Sequence, residues 1–126
     1  MLNQARELAV QKRQEIIGAV PGASFEVLQE LAPELEKFLT EWLFPYFWHR
    51  PQLDVRTRRF VTMTIFAVLK CHTQLESHIR SALQDGIPRE EICEAFTHAA
   101  WYAGCPVAVE ALKVAKKVFD EEDAKQ

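Results

Sequence analysis

Cysteine is scarce in this sequence: Cys71, Cys93 and Cys105 are the whole complement. An odd, sparse set with no CxxC pair argues against a disulfide framework or a zinc knuckle. In a reducing compartment these are free thiols by default. Glycine is nearly as scarce, with four residues, and no run alternates apolar and polar residues for long. Strands therefore have no support. Basic residues form no block longer than Arg58-Arg59 or Lys116-Lys117, and the net charge is -3. Nucleic-acid binding has no compositional basis. No apolar run approaches the roughly 20 residues that a membrane span needs. Met1 to Gln14 mixes charges with apolar residues and lacks a signal-peptide core, so a cytoplasmic location is expected.

What remains is a chain of 126 residues, 48% hydrophobic and 26% charged. Those are globular proportions and one domain's worth of length. Such a domain folds without disulfides or metal. The patterning predicts a single all-α domain over residues 1–126, of about six helices. Leu2 to Ile17 reads as a helix ended by Gly18, followed by a turn at Val20-Pro21-Gly22-Ala23. Ser24 can cap a short helix through Leu31. Pro33 suits the first turn of the next, running to about Phe44. Pro45 and Pro51 bracket an aromatic connector, Tyr46 to Arg50.

Asp54 can cap a helix from Val55 to Lys70. Beyond Phe60 that helix is apolar almost all round, which predicts a central, buried position. Thr73-Gln74-Leu75-Glu76 has the form of a capping box, so a helix should start there and stop at Asp85-Gly86. Pro88 opens the next helix, with Glu90 and Glu91 placed well in its first turn. Gly104 closes it. Pro106 opens the last helix, expected to end near Phe119 and leave a frayed polar tail. Trp42, Phe44, Phe47, Trp48, Trp101 and Tyr102 are many large aromatics for so few short helices, so some are expected at subunit interfaces.

One segment gathers chemistry-bearing residues. Cys71 lies just ahead of a predicted helix start, where backbone N–H groups stabilise a thiolate. Gln74 and His78 stand at i and i+4 and share a helical face. A cysteine–histidine pair suggests nucleophilic or redox chemistry. A histidine alone suggests proton transfer near neutral pH. Metal binding by His72, His78, Cys71 and His98 would lack any HExxH or CxxC spacing, and no metal site is expected. Arg56, Arg58 and Arg59 crowd the start of the central helix, against its dipole. Acidic side chains or an anionic ligand would explain them. His98, Trp101 and Tyr102 fall at helical spacing and can line a pocket or pack a core.

From Trp48 through Phe119 the chain resembles the carboxymuconolactone decarboxylase family. The segments that carry the resemblance are W-H-R-P-Q-L-D-V-R-T-R, L-E-S-H-I-R-S-A-L-Q-D-G-I-P-R-E-E-I and H-A-A-W-Y-A-G-C-P-V-A-V-E-A-L, in that order and spacing. The N-terminal F-L-T-E-W is similar to the gamma-carboxymuconolactone decarboxylases proper. The superfamily also holds alkylhydroperoxidase D-like proteins, whose signature is CxxCxxxH with a glutamate on the preceding helix. Here those positions read Cys71, Gln74 and His78, with Arg59 at the glutamate position. Dithiol cycling needs two thiols, and the second is missing.

The resemblance implies an alkylhydroperoxidase D-like fold and homo-oligomers, trimeric or hexameric, with pockets near subunit interfaces. It implies loss of CO2 from 4-carboxymuconolactone in the beta-ketoadipate route of aromatic catabolism, without metal or prosthetic group. The substrate would be a small carboxylate-bearing acid. On this reading His78 is the proton donor or the oxyanion partner, with Cys71 and Gln74 beside it. Arg56 or Arg58 anchors a substrate carboxylate, or else makes structural ion pairs across subunits. Trp48, His98 and Tyr102 form pocket wall. Two other readings of the same scaffold are a thiol-dependent antioxidant protein using Cys71 and a non-catalytic oligomer.

Overall fold

The computed structural model describes residues 2–18 and 24–126, without the side chains of Leu2 and Ser24. The turn expected at Val20 to Ala23, and the Ser24 cap, fall outside what is described. Seven α-helices and no strand occur among the described residues: α1 Leu2–Ile17, α2 Ser24–Leu31, α3 Pro33–Phe38, α4 Val55–Leu69, α5 His72–Gln84, α6 Arg89–Ala103 and α7 Cys105–Ala124. The seven match one to one the segments read from the sequence, against an expected count of about six, and Ala32, at φ -148, separates α2 from α3. A residue before proline is pushed out of helical geometry. The helix begun by Pro33 continues as a π-helical turn over Leu39–Leu43. There the Phe44 N–H reaches back five residues to the Leu39 carbonyl. A 3-10 turn follows at Phe47–His49.

The chain divides into two compact units, Met1–Val55 and Arg56–Gln126. The first is organised around Ile16, Ile17, Phe44 and Trp48, with Phe25, Leu39, Leu43 and Val55 packed on them. Beside that cluster lies a polar network. Arg6 pairs with buried Glu36, Arg13 donates to Thr40 Oγ1 at 2.8 Å, and the Thr40 hydroxyl donates to Glu36 at 2.9 Å. Arg13 also stacks over the Phe25 ring at 4.1 Å.

The second unit has the larger apolar core. Met63 and Ala67 of α4 join Leu75, Ile79 and Ala82 of α5, Ile92 and Phe96 of α6, and Ala111, Ala115 and Val118 of α7. The three- and four-residue spacings put each set on one helical stripe. The small residues of α7 let its neighbours approach closely.

Helix ends follow local chemistry. Gly18 (φ 69) ends α1 with its N–H on the Gln14 carbonyl, a left-handed cap. At the end of α4 the Cys71 N–H bonds to Phe66 O and the Lys70 N–H to Ala67 O. That is a Schellman motif, with Lys70 (φ 60) where glycine is usual. The end of α5 repeats it: Ile87 bonds to Ala82 and Gly86 to Leu83, with Gly86 at φ 85 and Ile87 buried in the core.

Three local expectations are corrected. The capping box at Thr73 does not form. The cap position of α5 is Cys71, with no side-chain cap bond, because Glu76 turns instead to Arg80 and Lys117. The tail does not fray at Phe119. Ion pairs of Arg89 with Asp123 and Arg80 with Glu121 hold α7 helical to Ala124. Nor is α4 buried all round. It contributes the stripe Arg59, Met63, Ala67 to its unit and leaves Val61, Ile65, Val68 and Leu69 exposed.

Candidate active site

Helices α4 and α5 run antiparallel, and two contacts fix their register. Arg59 Nε donates to Asp85 Oδ2 at 2.7 Å. The Phe66 and His78 rings lie with centroids 5.4 Å apart. Residues 59 and 66 are two turns apart on α4, as are 78 and 85 along α5 into its C-cap, so each pair shares one face. The face between the helices thus carries a guanidinium and a carboxylate at one end and an imidazole on an aromatic ring at the other.

His78 is 6% exposed. Burial first, and the positive charge of Arg59 second, push its pKa down to about 4. Both act in the same direction, since each disfavours the imidazolium. The ring is therefore neutral at pH 7, with one N–H to donate and one nitrogen to accept. Arg59 is 1% exposed. The sequence groups it with Arg56 and Arg58 but assigns it no role in the site. The available signal was its place where the peroxidase branch carries glutamate.

The crowding of arginines at the start of α4 has an explanation. Arg56 pairs with Glu91 of α6 at 2.5 Å and lies over the Phe60 ring at 5.2 Å. Arg59 meets Asp85 at the end of α5. Arg58 is buried. The two acids supply the negative charge that the helix terminus lacks. The Arg56 pair is exposed on both sides and contributes little to stability.

The other expected residues separate. Cys71 is half-buried at the start of α5, its thiol 3.9 Å from the Leu69 carbonyl. Cys71, Cys93 and Cys105 are all unbridged. Gln74 is one turn from His78 but exposed, while His78 and Leu75 are buried. His98 and Tyr102 stand on the exposed side of α6 with rings 5.2 Å apart. His98 lines an open cavity of about 400 Å³ with Phe60, Thr64, Glu91, Glu94 and Ala95. Glu91 there is paired with Arg56, so Glu94 is the carboxylate that disfavours an anion in this cavity. Trp48 is a core residue of the first unit, packed near Phe44.

Residues 33–117 match the model of the carboxymuconolactone decarboxylase family. The chain belongs to this family. It is 27% identical over 119 residues to the 4-carboxymuconolactone decarboxylase of Acinetobacter baylyi, covering 94% of this chain and 89% of that protein. It is 35% identical over 86 residues to the nitrosuccinic acid decarboxylase of Metarhizium robertsii, covering 68% of this chain and 60% of that longer relative. A crystal structure from Burkholderia xenovorans LB400, assigned to the carboxymuconolactone decarboxylases, superposes with a TM-score of 0.73 at 16% identity. It covers 100% of this chain and 99% of that one. At that identity the superposition speaks to fold alone. His78, Cys71, Gln74, Arg56, Arg58, His98 and Tyr102 all fall inside the matched span.

Proposed function

We propose that this family member is a cofactor-independent carboxy-lyase, with His78 meeting the oxyanion that forms as CO2 leaves. Its substrate is a small polycarboxylic acid in which the departing carboxylate stands next to an electron sink. 4-Carboxymuconolactone is the first candidate, because the relative that acts on it aligns over nearly the whole of both chains. Nitrosuccinic acid belongs to the same chemical class. Its nitro group takes the role that the unsaturated lactone takes in the other acid.

The observation that carries this reading is a buried imidazole held neutral on the histidine-bearing helix. When the C–C bond to the carboxylate breaks, its electron pair moves into the lactone as a dienolate, and a proton later closes onto carbon. A neutral N–H in a dry setting is a fixed donor for the developing oxyanion. With its pKa near 4, His78 has no imidazolium to offer at neutral pH. The oxyanion role is thus favoured over that of proton donor. Arg56, paired with Glu91, or buried Arg58 is the candidate to anchor a second carboxylate. Homo-oligomerisation is part of the same reading. The apolar α4 residues Val61, Ile65 and Leu69, with Trp101 and Tyr102 at 83% exposure each, suit contacts with further copies.

The test is CO2 release from 4-carboxymuconolactone and from nitrosuccinic acid, with wild type and His78→Gln. Wild type is expected to turn over at least one acid. The variant should fold and lose about 100-fold or more in kcat, as removal of an oxyanion donor does. Absence of CO2 from both acids, or a His78→Gln rate near wild type, refutes the proposal.

A further inference from the structure

We infer that Arg59 is the positioning residue of this site: tethered by Asp85, its guanidinium fixes a positive charge against the face of α5 that carries His78. The inference rests on the reading of His78 given above. It adds a role for a residue that the sequence alone leaves without one.

Three geometric facts support it. First, Arg59 is 1% exposed, on the same stripe as Met63 and Ala67, both of which serve the core. Burying a guanidinium costs several kcal/mol, and an apolar side chain of similar volume often packs as well or better. Core packing alone therefore does not account for an arginine here. Second, the tether comes from the far side. Asp85 lies seven residues beyond His78 on the same helix, about 10 Å along its axis by the standard rise. Arg59 reaches Asp85 through Nε at 2.7 Å, so the side chain is held across the interhelical face. Third, the counter-charge is incomplete at the ring. The Asp85 side chain is 35% exposed, and water screens it more than it screens the buried cation. The field at His78 is accordingly positive, in line with the direction of its titration.

Several neighbouring charges are engaged by other partners. From α7, Lys117 meets Glu76, and Glu121 and Glu122 meet Arg80. Glu76 and Arg80 flank His78 by two residues, roughly 200° around α5. From α4, Arg56 is drawn to Glu91 on α6. Arg59 is the charge that acts on the ring. Such a cation does two things for a decarboxylase. It attracts the anionic acid to the imidazole, and it keeps the imidazole neutral until the oxyanion appears.

Arg59→Met, Arg59→Gln and Arg59→Lys separate charge from packing. Arg59→Gln retains a hydrogen-bond donor for Asp85 should the Met variant fail to fold. The first readout is the His78 titration midpoint followed by NMR of the imidazole. Neutralising the residue should raise that midpoint by roughly one unit, the order expected when a nearby opposing charge is removed from a buried group. Arg59→Lys should leave it near the wild-type value. The second readout is kinetic: kcat falls at least tenfold in the neutral variants, KM moves less, and lysine restores most of the loss. A folded neutral variant with an unmoved His78 midpoint overturns the inference. So does a lysine variant that behaves like the neutral ones. If wild type releases no CO2, the functional reading falls, while the NMR midpoint still decides the coupling between Arg59 and His78.

Discussion

Acidification should expose the cost of keeping His78 neutral. The ring titrates near 4 in the folded chain, against an ordinary value of 6.5. The folded state therefore resists a proton that the unfolded chain accepts. This contribution is flat above pH of about 6.5, where neither state binds the proton. It is lost as pH falls from there toward 4, and levels off below that. From the two pKa values the loss is about 2 kcal/mol at pH 5 and about 3 kcal/mol at pH 4. Carboxylates titrate in the same window, so wild type alone cannot isolate it. His78→Gln carries every other group and lacks this one. Urea unfolding of both proteins at pH 7.5 and pH 5 gives the comparison. Wild type should lose about 2 kcal/mol more than the variant between the two conditions. A gap that is the same at both pH values would refute the burial argument, and with it the claim that the ring is held neutral.

The ends of α4 and α5 offer two further checks. Lys70 occupies the left-handed position of a Schellman motif at φ 60, and Lys70→Gly should stabilise the fold by up to about 1 kcal/mol, as a rise in Tm. A fall in Tm would mean that the lysine stem makes a contact that outweighs its backbone strain. Gly86→Ala has no steric obstacle at φ 85, so its cost should be backbone strain alone, about 1 kcal/mol. A loss of several kcal/mol in chemical denaturation would contradict that.

Much of this architecture was legible because its signals are local. Gly18, Gly86 and Gly104 mark helix ends, and each has a positive φ. Pro33 and Pro106 fall in first turns. The parts that escaped are those decided by distant partners. Glu76 looked like half of a capping box, yet Lys117, 41 residues away, and neighbouring Arg80 claim it. The tail looked soluble and loose, yet Arg89 reaches Asp123 across 34 residues. The same holds at the candidate site. Three arginines at a helix N-terminus read as an anomaly, and only the packing of α5 and α6 against α4 reveals that Asp85 and Glu91 answer two of them. Periodicity placed Gln74 and His78 on one face, which they share. It could not say that burial would divide them, because that depends on how far the neighbouring helix extends over the face.

The antiparallel pairing of α4 with α5 carries a consequence for how the site arises. Arg59, Phe66, His78 and Asp85 all come from one helical hairpin, and the outermost pair is only 26 residues apart in sequence. Contacts of such short separation close cheaply and early. The charged and aromatic couples can assemble as the two helices zip from the Lys70 corner outward, before more remote segments dock. Nature could therefore retune the imidazole's surroundings by substitutions within a single contiguous stretch, leaving the rest of the scaffold untouched.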